Sequence, residues 1–245
     1  MALTRFLLSS GLALSAGSRP PNILLLFPDQ WRWDWASDFY QVPLRMPTFD
    51  ALAANGTRFA QAYVPSPLCA PSRACLASGR EYDLAGVPDN FSNDYPINET
   101  TIYTMLKMAG YYTMTAGKDD LTKASGPGLN GTFNEAALGF KDGARTCGKD
   151  DVLSGGKPHD PYGEFCNSTS ISVNGQIETL WNVLKSDTQS CCSDADGAGG
   201  YDCTIPTAFP QPDYEDQYIA AGALKLLDSR PAGVPWYLQV HFLSL

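Results

Sequence analysis

A short segment near residue 70 brings together a thiol, a proline, a hydroxyl and a guanidinium. It reads Cys69-Ala-Pro-Ser-Arg-Ala-Cys-Leu-Ala-Ser-Gly-Arg80. Residues 72–78 are predicted to form a helix that ends at Gly79. Cys69 would then lie just before a helix amino terminus, where unpaired N–H groups and the helix dipole favour anions. Arg73 keeps its charge and can hold the oxygens of an anionic group. A nucleophile at this position would therefore lie beside an anion-binding site.

The simpler interpretation is that Cys69 and Cys75 are ordinary cysteines, paired or buried, on a loop broken by proline. It leaves the Pro-Ser-Arg and Gly-Arg parts of the segment unexplained. The segment matches in full the C-x-P-S-R-x-x-x-x-G-R signature of the sulfatase family. The chain resembles that family from about residue 20 to 123, and with weaker anchors from about residue 213 onward. The resemblance implies that a formylglycine-generating enzyme oxidises Cys69 to formylglycine, whose hydrated aldehyde attacks the sulfur of a sulfate ester.

The other site residues take their roles from the same resemblance. Asp29 ends the first apolar strand, where sulfatases place the first of two adjacent aspartates that bind Ca²⁺ or Mg²⁺. The next residue here is Gln30, whose amide oxygen can still coordinate, and the modified Cys69 completes the implied metal set. Lys118 and Asp120 lie where the family reads Gly-Lys-x-His-Leu-Gly. Lys118 is implied to contact the sulfate, whereas Asp120, at the histidine position, can accept a proton but would repel an anionic ester.

Alternating strands and helices are expected to position these groups. Apolar runs predict strands at residues 22–27, 58–64, 111–115 and 236–242, and helical spacing predicts helices at 47–54, 72–78, 100–109 and 213–227. The alternation favours an α/β fold with a largely parallel sheet flanked by helices, and the resemblance makes it alkaline-phosphatase- or sulfatase-like. Residues 124–212, rich in Gly, Asp, Ser and Cys with a helical piece near 177–184, are interpreted as a loop-rich insertion. The sheet is expected to be incomplete at its carboxyl-terminal end.

The composition excludes several classes of function. The 17 basic and 26 acidic residues give a net charge of −9, which argues against binding to nucleic acid because phosphates would be repelled. No unbroken apolar stretch reaches about 18 residues, so no membrane span is predicted. The only two histidines are His159 and His241, which rules out a zinc site built on several histidines. His159 is interpreted as a surface residue, and His241 as a buried residue in or just behind the core.

The amino terminus indicates the secretory pathway. Residues 1–18 carry one arginine, an apolar run and then small residues, as in a signal peptide, and residues 19–245 would form the amino-terminal part of the catalytic domain. A frayed terminus or an interior helix is the alternative. Five Asn-x-Ser/Thr sequons indicate the same compartment: Asn55, Asn90, Asn98, Asn130 and Asn167. The seven cysteines leave the disulfide pairing open, with Cys147 to Cys166 and Cys191 or Cys192 to Cys203 among the options.

Three functions stay open on the sequence alone. The first is a secreted or lysosomal sulfuric ester hydrolase that uses formylglycine and Ca²⁺ or Mg²⁺ on a small-molecule or glycan sulfate ester. The second is a phosphonate or phosphate monoester hydrolase of the same superfamily, with which the Asp-Gln pair is equally compatible. The third is an inactive fragment or a non-catalytic glycoprotein. The third function is suggested because the sequence shows no counterpart of ligands that the family has later in the chain. These are a histidine, an Asp-Asn or Asp-His pair and a lysine.

Overall fold

The residues that the structure describes form a main sheet of four parallel strands. The computed structural model describes residues 19–32, 45–90, 94–122, 135–146, 161–184 and 210–243. The strands are β1 (Ile23–Pro28), β2 (Tyr112–Gly117), β3 (Asp142–Arg145), β4 (Ser170–Val173), β5 (Gln176–Thr179) and β6 (Trp236–Phe242). The main sheet has the order β1-β6-β2-β3, whereas β4 and β5 form a separate antiparallel hairpin. All pairs of the main sheet are parallel, so the carboxyl ends of β1, β6 and β2 meet at one edge.

Helices cover both faces of this sheet. The helices of the described residues are α1 (Pro47–Asn55), α2 (Cys69–Ser78), α3 (Ile102–Met108), α4 (Glu135–Leu138), α5 (Pro161–Ser168) and α6 (Glu215–Ser229). Helix α6 packs Ile219, Ala223 and Leu226 against one face. Helices α2 and α3 lie on the other face, where the small side chains of α2 form a core with Tyr103. This layered arrangement is the α/β fold that the alternating pattern predicts.

The alternation of side chains along β6 decides which of them reach the site. Leu238 and Val240 belong to the core under α6. Because successive side chains of a strand point to opposite faces, Tyr237, Gln239 and His241 face α2 and α3 instead. All three are buried. The central strand thus carries a row of polar side chains toward the helix that begins at the predicted nucleophile.

Three predicted elements differ from the structure. Residues 58–64 were predicted as a strand, but they pair with no strand among the described residues and are exposed. Their β-branched and aromatic side chains favour a strand only where a neighbour is available to pair with it. Helix α2 begins three residues earlier than predicted, with Pro71 in its first turn, where a missing N–H costs nothing. The helical piece near 177–184 starts only at Leu180, since β5 occupies the preceding residues.

The described parts of residues 124–212 include strands β3, β4 and β5 and helices α4 and α5. Strand β3 extends the main sheet beside β2, and α5 packs with the β4–β5 hairpin around a third core. The signal-peptide range 1–18, Asn130, His159 and the cysteines Cys147, Cys191, Cys192 and Cys203 lie outside the described residues. The predicted disulfides therefore stay predictions. Within the described ranges, no helix combines the length and apolar character that crossing a bilayer requires.

Candidate active site

Cys69 is the first residue of α2 and lies at the sheet edge where the parallel strands end. Its side chain is half-buried, and it and Cys75 are both free thiols, so the two do not form a disulfide. The first turn of α2 carries no cap from its own N-cap residue, Leu68. Instead, the side-chain Oδ1 of Asn90 accepts the N–H of Ala70 at 3.0 Å. A residue 20 positions downstream thus caps the helix that holds the predicted nucleophile.

Replacing Asn90 with alanine is expected to destabilise the protein by about 1 kcal/mol, because the N–H of Ala70 loses its acceptor. Urea unfolding would measure the loss. Asn90→Asp keeps an acceptor and should retain most of the stability, although it also removes the sequon. Asn98→Ala is the matched control, since it removes an exposed sequon that holds no helix. Equal stabilities for Asn90→Ala and Asn98→Ala would contradict the capping role.

The guanidinium of Arg73 is buried, with 2% of its side chain exposed, and is held from several sides. Its Nη1 donates to the carbonyl oxygen of Lys118 at 2.6 Å and to Nδ1 of His241. The ring of Phe27 lies beneath it, 5.1 Å from the guanidinium carbon to the ring centroid. Nη2 is 3.6 Å from Oδ2 of Asp29 and has no hydrogen-bond partner among the described residues. One donor nitrogen of a fixed cation is thus available to a ligand.

Lys118 follows β2 directly and brings a second cation to the same point. Its Nζ lies 3.3 Å from Oδ2 of Asp29 and 3.5 Å from Oδ2 of Asp120. Burial by itself would lower the pKa of Lys118, but the charges of Asp120, Asp29 and Cys69 outweigh it and raise the pKa. The ammonium therefore stays charged, and the electrostatic contribution of Cys69 to this pKa indicates that the start of α2 lies near the end of β2.

The backbone turns sharply at the ends of β1 and β2. Gln30 and Asp120 both have φ of 56°, in the left-handed region that residues with a side chain rarely adopt. Such strained positions are concentrated at functional sites. Each turn comes two or three residues after its strand, and it keeps Asp29 and Lys118 above the sheet edge. The amide N–H of Asp29 also donates to the carbonyl oxygen of Phe242 at 2.8 Å, which ties the end of β1 to β6.

Most of the predicted site residues come together at this edge. Asp29, Arg73, Lys118 and Asp120 form one chain of ion pairs, and Cys69 lies beside it. Gln30 is adjacent in sequence but exposed. The roles of Asn90 and His241 were not apparent from the sequence, although the burial of His241 was expected. The sequons at Asn55, Asn98 and Asn167 are exposed.

The donors at the sheet edge suit a hard divalent cation in kind but not in number. Asp29 offers carboxylate oxygens and Gln30 an amide oxygen, whereas Ca²⁺ prefers about six to eight oxygens. The described residues contain no group of three or more His, Cys, Asp or Glu side chains arranged to hold a metal ion. Oδ2 of Asp29 is also in contact with two protein cations. The described site alone therefore does not fit a fully coordinated Ca²⁺ or Mg²⁺.

A family model described as Sulfatase matches residues 21–244. The chain belongs to the sulfatase family. Human arylsulfatase A is 38% identical to it over 138 residues, which cover 53% of this chain and 26% of that protein. Human N-acetylgalactosamine-6-sulfatase is 32% identical over 120 residues, which cover 44% of this chain and 23% of that protein. The alignments of this sulfatase chain thus span about a quarter of these curated relatives.

Solved structures confirm the fold of this sulfatase chain. A protein solved with its substrate D-glucosamine-2-N, 6-O-disulfate matches with a TM-score of 0.57 at 19% identity, covering 91% of this chain and 34% of that one. The phosphonate monoester hydrolase of Agrobacterium radiobacter matches with a TM-score of 0.59 at 20% identity, covering 91% and 41%. At such identities the likeness concerns the fold alone. The predicted sulfatase-like α/β fold is confirmed.

Proposed function

We propose that this protein contributes the nucleophile and the sulfate-binding cations of a sulfuric ester hydrolase. The observation that carries the proposal is that Arg73, Lys118 and Asp29 meet beside Cys69 at the start of α2. A formylglycine formed from Cys69 supplies, as its hydrated aldehyde, the hydroxyl that attacks sulfur. The helix start adds N–H groups and a partial positive charge where the anionic group would lie.

Arg73 and Lys118 have distinct tasks in this proposal. Nη1 of Arg73 is occupied by protein acceptors, so the guanidinium keeps one orientation and presents Nη2. Nζ of Lys118 is a point charge with three donors, which can contact the sulfate while it keeps Asp29 in place. Both groups stabilise the negative charge that develops as the ester bond breaks. Their burial strengthens this effect, because the surrounding medium screens charges less than water does.

The carboxylates of Asp29 and Asp120 cancel the positive charge of the site. Two positive side chains, Arg73 and Lys118, face these two carboxylates, so the four ion-paired groups sum to zero. Such a cluster gives little net attraction to an anionic ester. A divalent cation at Asp29 and Gln30 would make the site positive, and further oxygen ligands beyond the described residues would be needed. We propose Ca²⁺ or Mg²⁺ in that role.

The proposal also covers maturation and compartment. Residues 1–18 would act as a signal peptide, and a formylglycine-generating enzyme would act on Cys69 in the endoplasmic reticulum. The protein would be secreted or lysosomal and carry glycans at its sequons. Exposure of Asn55, Asn98 and Asn167 supports this, since a glycan needs an accessible asparagine. Its substrates would be small-molecule or glycan sulfate esters.

The test compares matched aryl esters of sulfate, phosphate and a phosphonate, hydrolysed by the 245-residue chain produced together with a formylglycine-generating enzyme. We expect the sulfate ester to react fastest. Faster reaction of the phosphonate or phosphate would support a monoester hydrolase of the same superfamily instead. No reaction with any ester would contradict the proposed function for this chain. Calcium titration by calorimetry on the same sample would then show whether the incomplete ligand set is the reason.

A further inference from the structure

His241 lies next to Arg73 and contacts its guanidinium. It lies near the end of β6, is fully buried, and places Nδ1 2.5 Å from Nη1 of Arg73. On its other side, Nε2 contacts the amide of Gln239. The ring of Phe27 packs edge-on against the imidazole, with 5.5 Å between ring centroids. The imidazole is thus fixed at both nitrogens and on one face.

The chemistry of Arg73 determines the protonation of His241. A guanidinium is always charged and has only donors, so the nitrogen it contacts must accept. Nδ1 of His241 therefore carries no proton. A charged imidazolium, which has a proton on both nitrogens, would set N–H against N–H in a buried site. His241 is consequently neutral, with its single ring proton on Nε2.

The amide of Gln239 must complement that proton. With Nε2 of Gln239 toward His241 and Oε1 accepting from the hydroxyl of Tyr237, two donors would face each other. A half-turn about the terminal bond of Gln239 places Oε1 against His241 and Nε2 against the Tyr237 hydroxyl, and removes the conflict. Burial raises the pKa of Tyr237, so its hydroxyl keeps its proton and its oxygen can accept from the amide.

We infer that His241 is a positioning residue for Arg73: a neutral imidazole, protonated on Nε2 and held by Gln239, whose Nδ1 fixes the guanidinium. The role of His241 in hydrolysis rests on the proposed function, whereas the geometry of its contacts does not. With Lys118 and His241 accepting both protons of Nη1, Nη2 is left to turn toward an anionic group. Loss of the imidazole would leave a buried N–H without an acceptor and allow the guanidinium to rotate away.

Nitrogen NMR on the uniformly ¹⁵N-labelled chain tests the geometry without any activity measurement. The chain has two histidines, so a His159→Gln variant assigns every imidazole signal. At neutral pH, His241 is expected to show a protonated Nε2 and an unprotonated Nδ1. A proton on Nδ1, or on both nitrogens, would overturn the inference.

Kinetics on the sulfate ester test the role in hydrolysis. His241→Leu is expected to lower kcat by about 10- to 100-fold, because a misplaced catalytic group can cost about that much. His241→Asn places Oδ1 near the position of Nδ1 and should keep kcat within about threefold of the parent. Leucine and asparagine variants with equal kcat would overturn the inference, whether both are impaired or both unaffected.

The control for general damage is Thr113→Val on the neighbouring strand β2. Thr113 is fully buried and donates to the carbonyl oxygen of Gly139 at 2.7 Å, away from Arg73. The Thr113→Val variant should lose stability and keep its kcat. A chain that hydrolyses no ester contradicts the proposed function, and the NMR result then still decides the inference about His241.

Discussion

Replacing Cys69 with alanine is expected to abolish ester hydrolysis and leave the fold intact. The side chain is half-buried at the first position of α2 and makes no disulfide. Alanine is a better helix former than cysteine, so the helix should tolerate the change. What disappears is the side chain that a formylglycine-generating enzyme would convert. With no nucleophile, turnover should fall by at least about 10³-fold.

Two measurements separate this outcome from indirect damage. Turnover of an aryl sulfate gives the loss of activity, and mass spectrometry of the peptide that contains residue 69 shows whether sulfur has been replaced by an aldehyde oxygen. Cys75→Ala is the matched control, because Cys75 lies in the same helix but is buried in the core. It should cost some stability and leave turnover unchanged. Activity retained in Cys69→Ala would contradict the proposed nucleophile.

The site was predictable from sequence where its residues follow regular elements. Asp29 and Lys118 come directly after apolar strands, and parallel strands bring their carboxyl ends to one edge. The local sequence therefore carries the information that these side chains meet. Cys69 and Arg73 are four residues apart, a spacing that puts both on one face of a helix. A motif within a single turn of helix is readable without any knowledge of the tertiary structure.

The contacts that hold these groups were not predictable in the same way. Asn90 caps α2 across 20 residues, and His241 contacts Arg73 across 168. Nothing in the neighbouring sequence of either residue indicates its partner, because the contact exists only once the sheet is assembled. Residues 58–64 show the converse case. Their composition favours a strand, but pairing requires a neighbour, and the described residues provide none.

Gly117→Ala is expected to destabilise the protein by about 3 kcal/mol or more, since it combines a backbone strain with a collision. Gly117 ends β2 with φ of 83°, which disfavours any side chain. A Cβ atom there would lie 2.1 Å from the carbonyl oxygen of His241 and 3.2 Å from a methyl group of Ile219. The first obstacle is backbone of the adjacent, central strand, so it cannot move aside without disturbing the sheet.

Gly110→Ala isolates the collision from the strain. Gly110 has φ of 88°, but a Cβ there would meet nothing within 4 Å. Alanine at residue 110 should therefore cost only the conformational strain, about 1 kcal/mol. Thermal and urea unfolding of both variants would measure the difference, and equal losses would contradict the collision.

The substitution at Gly117 should also impair the site, because the close approach of β2 to β6 sets the geometry of the site. Gly117 lies opposite His241 in the β2–β6 register, and the next residue is Lys118, whose carbonyl oxygen accepts from Arg73. Pushing the strands apart would therefore move the acceptors of Nη1 on both sides. We expect Gly117→Ala to lose turnover even at temperatures where it stays folded, whereas Gly110→Ala should keep it. Full turnover in folded Gly117→Ala would show that the site tolerates a wider separation of β2 and β6.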